Sequence, residues 1–211
     1  MRTQEREATA IGPVTNSAEA YIERSIPYLV AIEVTGSSDI IFHRWNVEAV
    51  MDVCTSGGRG RKGSKKYDDI ESYVFRDENG EIGIPGYYLT ACIANAARFR
   101  QDPRSPRKSA HDLFRAGVLP MTVYASLGTK KWDYELRCRV NVQRNGITRC
   151  RPAFKAGWQA RFELQVILPE YIPPDVLHAT LTDAGRLCGL ADYRPTYGRF
   201  QVTNFEPLKL Q

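Results

Sequence analysis

Residues 158–168, "WQARFELQVIL", alternate without a break: Trp158, Ala160, Phe162, Leu164, Val166 and Leu168 fall on one side, and Gln159, Arg161, Glu163 and Gln165 on the other. Successive strand side chains point to opposite faces, so this pattern predicts a strand with one buried face. "PYLVAIEVTG" (27–36) is an almost continuous apolar run with β-branched residues, ending at glycine, which suits a buried strand. Three segments carry helical spacing: "NVEAVMDVC" (46–54) with Asn46 placed as N-cap, the alanine-rich "GYYLTACIANAARFR" (86–100), and "PPDVLHATLTDAGRLCG" (173–189). The last has proline at its start and glycine just past its end, where each is tolerated best. "SYVFRDENGEIGIPG" (72–86) reads as a strand, a turn at Glu78-Asn79-Gly80 and a short second strand. "VLPMTVYASLG" (118–128) reads as one strand, interrupted early by Pro120. "LRCRVNVQRNGITRCRPAF" (136–154) predicts a hairpin, with Asn145-Gly146 supplying the positive φ angles of a type I′ turn, and "GRFQVTNFE" (198–206) predicts a closing strand.

The C-terminal quarter is thus strand, helix, strand, preceded by strand, helix and further strands. That order predicts an α+β fold: a ferredoxin-like (RRM-like) antiparallel sheet with helices on one face, plus a basic β-hairpin and loop insertions. Residues 1–25 are a polar lead-in, and 26–211 form a single domain with insertions at 55–70 and 101–155. There is no internal repeat.

Composition bounds the class. The 211 residues, 43% hydrophobic and 25% charged, suffice for one globular core. No apolar run approaches the ~18 residues of a membrane helix, and "MRTQEREATA" lacks the apolar core of a secretory signal, so a cytoplasmic protein without a membrane partner is expected. The five cysteines (Cys54, Cys92, Cys138, Cys150, Cys188) form no CxxC pair, which argues against a disulfide framework and against a metal site. Cys138 and Cys150 could face each other across the hairpin, but reduced thiols fit a cytosol better.

A net charge of +5 is modest; where the charge sits matters more. From Arg137 to Phe162 there are seven cations and no acid. With Leu136, Cys138, Val140 and Val142 pointing one way, Arg137, Arg139, Asn141 and Gln143 point the other, a basic, hydrogen-bonding face suited to tracking phosphates. Arg149 and Arg151 extend the basic character along the second strand. The competing reading is a solvated face whose arginines pair with acids from elsewhere. "GGRGRKGSKK" (57–66) adds a cationic loop with Lys62, Lys65 and Lys66, and residues 98–115 hold six Lys/Arg against two Asp. Three separate basic segments favour nucleic acid over a bilayer, which would call for a basic amphipathic helix.

"GLADYRPTYGRFQV" (189–202) resembles the C-terminal glycine-rich loop of the RAMP superfamily of CRISPR-associated RNA-binding proteins: Gly189, Arg194 and Gly198 fit its pattern, and Phe200 and Val202 begin the strand that follows. "VFRDENGEIGIPGYYLTACIANAAR" (74–98) is similar to a segment of small type III backbone subunits, through Asp77, Gly80, Ile84, Pro85, Gly86 and Leu89, and "VTGSSD" (34–39) is a weaker match. The matches cover about a third of the chain; "FHRWN" (42–46) has no counterpart. The resemblance implies a subunit that binds single-stranded nucleic acid, RNA above all, and assembles side by side along a guide RNA as a homo-oligomer or within a multi-subunit ribonucleoprotein of antiviral defence. A phage or mobile-element homologue that kept only the RNA-binding fold is equally compatible. The contacts it would use are Lys62, Lys65, Lys66, Arg137, Arg139, Arg149, Arg151, Gly189, Tyr193, Arg194, Tyr197, Gly198 and Arg199. The glycines would bare backbone amides to phosphate, the arginines supply charge and the tyrosines stacking planes.

Two alternatives stand beside that reading. One is a phage-type single-stranded DNA binding or annealing protein using the same surfaces. The other is a metal-dependent ribonuclease, because in some of these subunits an aspartate after the first strand supports cutting. Asp39 occupies roughly that place, and His43 is near enough in sequence to serve as acid or base. Against it, Asp39 reads more readily as an ordinary cap or turn residue, and His43 as packed or hydrogen-bonded between Phe42 and Arg44. No cofactor is expected beyond magnesium for a nucleolytic chain, and no Walker or Ser-His-Asp signature occurs.

Overall fold

Strand β1 (Tyr28–Gly36) lies inside the principal sheet between β11 and β10, with Val30, Ile32 and Val34 buried on one face and Glu33 and Thr35 partly exposed on the other. This is a computed structural model, and it describes residues 25–44, 70–142 and 145–209. The expected 46–54 helix, the cationic loop with Lys62, Lys65 and Lys66, and almost all of the lead-in lie outside the described residues.

After β1 come β2 (Ile40–Ile41), β3 (Gly83–Pro85), helix α1 (Gly86–Ala96), β4 (Gln101–Asp102), β5 (Ser105–Ser109), α2 (His111–Gly117), β6 (Val118–Pro120), β7 (Tyr124–Ser126), β8 (Tyr134–Val142), β9 (Asn145–Phe154), β10 (Gln159–Val166), α3 (Pro174–Asp183) and β11 (Phe200–Lys209). The principal sheet has the order β11-β1-β10-β6 with every neighbouring pair antiparallel, and a second sheet has the order β2-β9-β8. The chain is α+β, with antiparallel sheets and three α-helices among the described residues.

The alternation read in β10 is the alternation observed: Ala160, Phe162, Leu164 and Val166 are buried while Gln159, Arg161 and Glu163 are exposed. Register places Val34, Ile32 and Val30 opposite Ala160, Phe162 and Leu164, so the two strands present one apolar stripe. Leu89, Cys92, Ile93 and Ala96 of α1 and Leu177 and Leu181 of α3 join the same buried cluster. Burying Phe162 or Leu164 there contributes about 1.5–3 kcal/mol each. The second sheet is tied to this core by Phe154 of β9, whose ring meets Phe42 edge-on at 5.8 Å.

Three local expectations are revised. The strand expected before the Glu78-Asn79-Gly80 turn is a 3-10 turn, Ile70–Tyr73, followed by a single bridge from Arg76 to Ile82. The turn itself is as read: the Asp77 carboxylate accepts from the amides of Asn79 (2.9 Å) and Glu81 (2.8 Å). The strand expected over 118–128 is two strands in two sheets, β6 on β10 and β7 on β3. Thr122 sits between them, its hydroxyl accepting from the Glu163 amide at 2.7 Å. So 101–155, read as an insertion, also contributes an edge of the principal sheet.

In the hairpin, Val142 pairs with Asn145 and Asn141 with Gly146. Asn145 and Gly146 are therefore strand residues and not the turn. Cys138 lies opposite Arg149 and Cys150 opposite Arg137, which puts the two thiols on opposite faces and rules out a bridge between them. The described cysteines are all free thiols.

Candidate nucleic-acid interface

Helix α3 runs into a π turn, Ala184–Cys188, and Gly189 ends it at φ +78°. The following loop folds back on itself: Leu190 N–H donates to the Gly198 carbonyl at 2.8 Å, and Tyr197 N–H to the Tyr193 carbonyl at 3.2 Å. At Gly198, φ is +74° and a Cβ would stand 1.9 Å from the Leu190 carbonyl oxygen, so no side chain fits. The loop is also fastened to the segment after β1. Gly198 N–H donates to the Asp39 carbonyl (2.7 Å), Asp192 N–H to the Ile41 carbonyl (3.0 Å), and Arg199 N–H to the Ser38 hydroxyl (2.9 Å). "VTGSSD" and the glycine-rich loop, which resemble two separate segments of the RAMP pattern, are thus joined physically.

That junction corrects the role expected of Gly189 and Gly198. Gly189 N–H donates to the Ala184 carbonyl and Gly198 N–H to the Asp39 carbonyl, and both residues are buried. These amides are engaged within the fold and do not form a nest for an outside anion; the glycines permit close backbone approach. What the loop offers outward is Arg194 and Arg199, both exposed, with Tyr193 and Tyr197 half-buried and their rings 6.4 Å apart. The Arg199 Nε donates to the Pro195 carbonyl at 2.8 Å, which holds its side chain along the loop.

The hairpin divides its cations between two faces. Arg137 and Arg139 of β8 are exposed, Arg137 at 72% of its side chain, with a long 3.4 Å contact to Glu135. A surface contact of that kind is worth about 0–1 kcal/mol and leaves the guanidinium available. Arg149 and Arg151 lie opposite Cys138 and Leu136, hence on the other face. Arg151 is buried at 4% exposure, its guanidinium 4.8 Å from the centre of the Tyr73 ring and its Nε 3.3 Å from Asp192 Oδ2. The expectation that Arg151 contacts a phosphate is therefore corrected: it is an internal strut between the hairpin and the glycine loop. The same side receives Tyr193; burial first and the Cys138 thiol second push its phenol up.

Asp39 and His43, the pair considered for catalysis, have separate partners. Asp39 Oδ2 accepts from the Tyr134 hydroxyl at 2.5 Å and Oδ1 from the Ala156 amide at 2.9 Å, so both carboxylate oxygens brace β8 and the segment before β10. Burial, then the bond to Asp39, raise the Tyr134 phenol. His43 Nδ1 lies 3.7 Å from Asp192 Oδ2, and its ring meets Tyr73 edge-on at 5.1 Å. Among the described residues no three His, Cys, Asp or Glu gather as a metal site would require.

Sequence reasoning missed Asp192, which holds Arg151, approaches His43 and caps the Tyr193 amide at 3.0 Å. Its signal was present: it is the single acid in "GLADYRPTYGRF", among two arginines. Arg194 separates two clefts between the loop and α1. One, of about 300 Å3, is lined by His43, Tyr87, Tyr88 and Asp192. The other, of about 510 Å3, is lined by Arg98, Phe99, Leu187, Cys188 and Tyr193.

No protein-family model matches the chain, and no curated protein matches it in sequence. No helix among the described residues is long and apolar enough to cross a membrane. Among solved structures, the chain is similar to one in a cryo-EM structure of the Type III-B Cmr-beta bound to cognate target RNA, with a TM-score of 0.53 and 11% identity over 92% of this chain and 65% of that one. The present chain spans just under two thirds of that chain's length, and at this identity the likeness is one of fold.

Proposed function

We propose that this chain is a single-stranded RNA-binding backbone subunit of the RAMP kind, assembling side by side with copies of itself or related subunits along a guide RNA. The observation that carries the reading is the pair of exposed guanidinium groups, Arg137 and Arg139, on a hairpin that Arg151 and Tyr193 lock to the arginine-bearing glycine loop. The strand order β11-β1-β10-β6, with helices after β1 and β10, supports reading the principal sheet as ferredoxin-like, the fold the RAMP resemblance implies. The fold likeness to a chain of an RNA-bound Type III-B assembly supports the same reading. Contacts fall to Arg137, Arg139, Arg149, Arg194 and Arg199, with Tyr193 and Tyr197 beside them.

Fluorescence anisotropy with a labelled single-stranded RNA and a DNA of the same sequence, across a salt series, tests this. Each phosphate contact on a single strand contributes about 0.7 to the slope of log affinity against log salt, so Arg137→Ala with Arg139→Ala lowers the slope by about 1.4. Unchanged affinity and slope refute the assignment of the hairpin. Equal affinity for the DNA favours the single-stranded DNA-binding alternative, since only contacts to the 2′-hydroxyl tell the two apart.

A further inference from the structure

Cys92 and Cys188 are 96 positions apart in sequence, yet α1 packs against the π turn that opens the glycine loop so that the Cys92 sulfur reaches the carbonyl of Gly189, the residue after Cys188. Cys92 is wholly buried in α1, and its Sγ lies 3.1 Å from the Gly189 carbonyl oxygen and 3.5 Å from that of Ala184. Cys188 is partly exposed and lines the 510 Å3 cleft, which also holds the side chains of Arg98 and Arg194. One cysteine thus lines an open cleft beside two cations, and the other is shielded, with its sulfur against the backbone of the residue that follows the first. Cysteine pairs that react with oxidants need this division: an accessible thiolate to be attacked and a neighbour to resolve the product.

We propose that Cys188 is a site of oxidation by hydroperoxides and that Cys92 resolves it, forming a disulfide that ties α1 to the base of the glycine loop. In the first step the Cys188 thiolate attacks one peroxide oxygen. The O–O bond breaks, the departing oxygen takes a proton from water and leaves as alcohol or water, and Cys188 carries a sulfenic acid. In the second step the Cys92 sulfur attacks the Cys188 sulfur as the S–OH bond breaks, and the Cys92 proton goes to the departing hydroxide to give water. Two thiols lose two electrons in all, and one hydroperoxide gains them.

The electrostatics favour the first step. The neighbouring Cys92 thiol, with Arg194 and Arg98 behind it, outweighs burial and the nearby Asp183 carboxylate and holds the Cys188 thiol at about 7, below the ordinary range. The reactive form therefore accumulates as pH rises through about 7 and is lost below it. At pH 7 about half of such a thiol is thiolate, against about 3% for a thiol of pKa ~8.5. Its lower intrinsic nucleophilicity takes back about fivefold, leaving it about threefold faster than an unstructured cysteine peptide.

Trypsin separates the five cysteines into different peptides. The reduced full-length chain, treated with one equivalent of hydrogen peroxide and then blocked with N-ethylmaleimide, is expected to yield the Cys92 peptide joined to the Cys188 peptide as the main product, releasable by dithiothreitol. With Cys92→Ala, dimedone is expected to trap a sulfenic acid on Cys188; with Cys188→Ser, Cys92 stays reduced. The wild-type map decides the matter even where a variant folds poorly. A map showing Cys188 unmodified, Cys188 oxidised without Cys92, or either residue joined to another cysteine overturns the proposal.

Discussion

Replacing Gly198 by alanine separates two costs that are usually tangled. The first is conformational: at φ +74° an L side chain sits in the left-handed region, at about 1–2 kcal/mol. The second is steric, because a Cβ 1.9 Å from the Leu190 carbonyl oxygen cannot be accommodated without moving the loop, and overpacking of that kind costs about 1–3 kcal/mol. Alanine also restricts the unfolded chain, which returns about 0.4–1 kcal/mol. The expected loss for Gly198→Ala is then roughly 2–4 kcal/mol, a fall in Tm of roughly 5–15 °C for a chain of this size. Gly128 is the control, with φ +69° and no heavy atom within 4 Å of its would-be Cβ, so only the first cost applies. Gly128→Ala should lose about 1 kcal/mol or less. Urea denaturation followed by circular dichroism measures both. If the two variants lose the same stability within about 0.5 kcal/mol, the close approach of 190 to 198 does not shape the loop.

Other substitutions probe the braces around the same region. Asp39→Ala and Tyr134→Phe each remove the bond between the carboxylate and the phenol and should each lose about 1–3 kcal/mol, but the double variant should lose about 1 kcal/mol less than the sum; strict additivity in urea melts would show that the pair is not coupled. Arg151→Met removes a guanidinium that is buried against Tyr73 and Asp192 and should destabilise by about 2–3 kcal/mol, whereas Arg137→Met, at an exposed site, should change stability by less than about 0.5 kcal/mol; comparable melts for the two would remove the distinction between strut and contact.

What the sequence made legible was local. The period of β10 and the apolar run of β1 are decided within each segment, and both strands stand where their patterns put them. The hairpin was legible as a hairpin, but its turn was misplaced, because Asn145-Gly146 is a strong turn signal only when nothing else sets the register. Here Ala153 and Phe154 at the far end of β9 also pair with β2 and enter the core, which fixes the pairing from that end. The observed register, with Val142 opposite Asn145, differs from that of a turn at 145–146 by four positions, an even number, so each side chain keeps its face. Arg137 and Arg139 were therefore read correctly as outward despite the wrong turn. The fate of Arg151 was not legible, since it depends on Tyr73 and Asp192, which lie far from it along the chain and meet it only through the tertiary fold.

The glycine loop shows the same limit, and it sharpens what the loop can contribute to binding. Its pattern showed correctly that Cβ atoms would be intolerable at 189 and 198, but two physical reasons produce that requirement: a backbone bared to an anion, or a backbone pressed against another backbone. The amides of Gly189, Leu190, Asp192, Tyr193, Tyr197, Gly198 and Arg199 all donate within the fold, which selects the second reason. On the proposed reading, what the loop adds to nucleic-acid affinity must come from Arg194 and Arg199, through charge that salt screens, and not from amides that mutation leaves in place. Arg194→Ala with Arg199→Ala should then lower the salt slope for single-stranded RNA by about 1.4 while leaving the Tm nearly unchanged, because both side chains are exposed. A double variant that keeps its full salt slope would return the loop to a purely structural part, a clasp between the end of β1 and the start of β11.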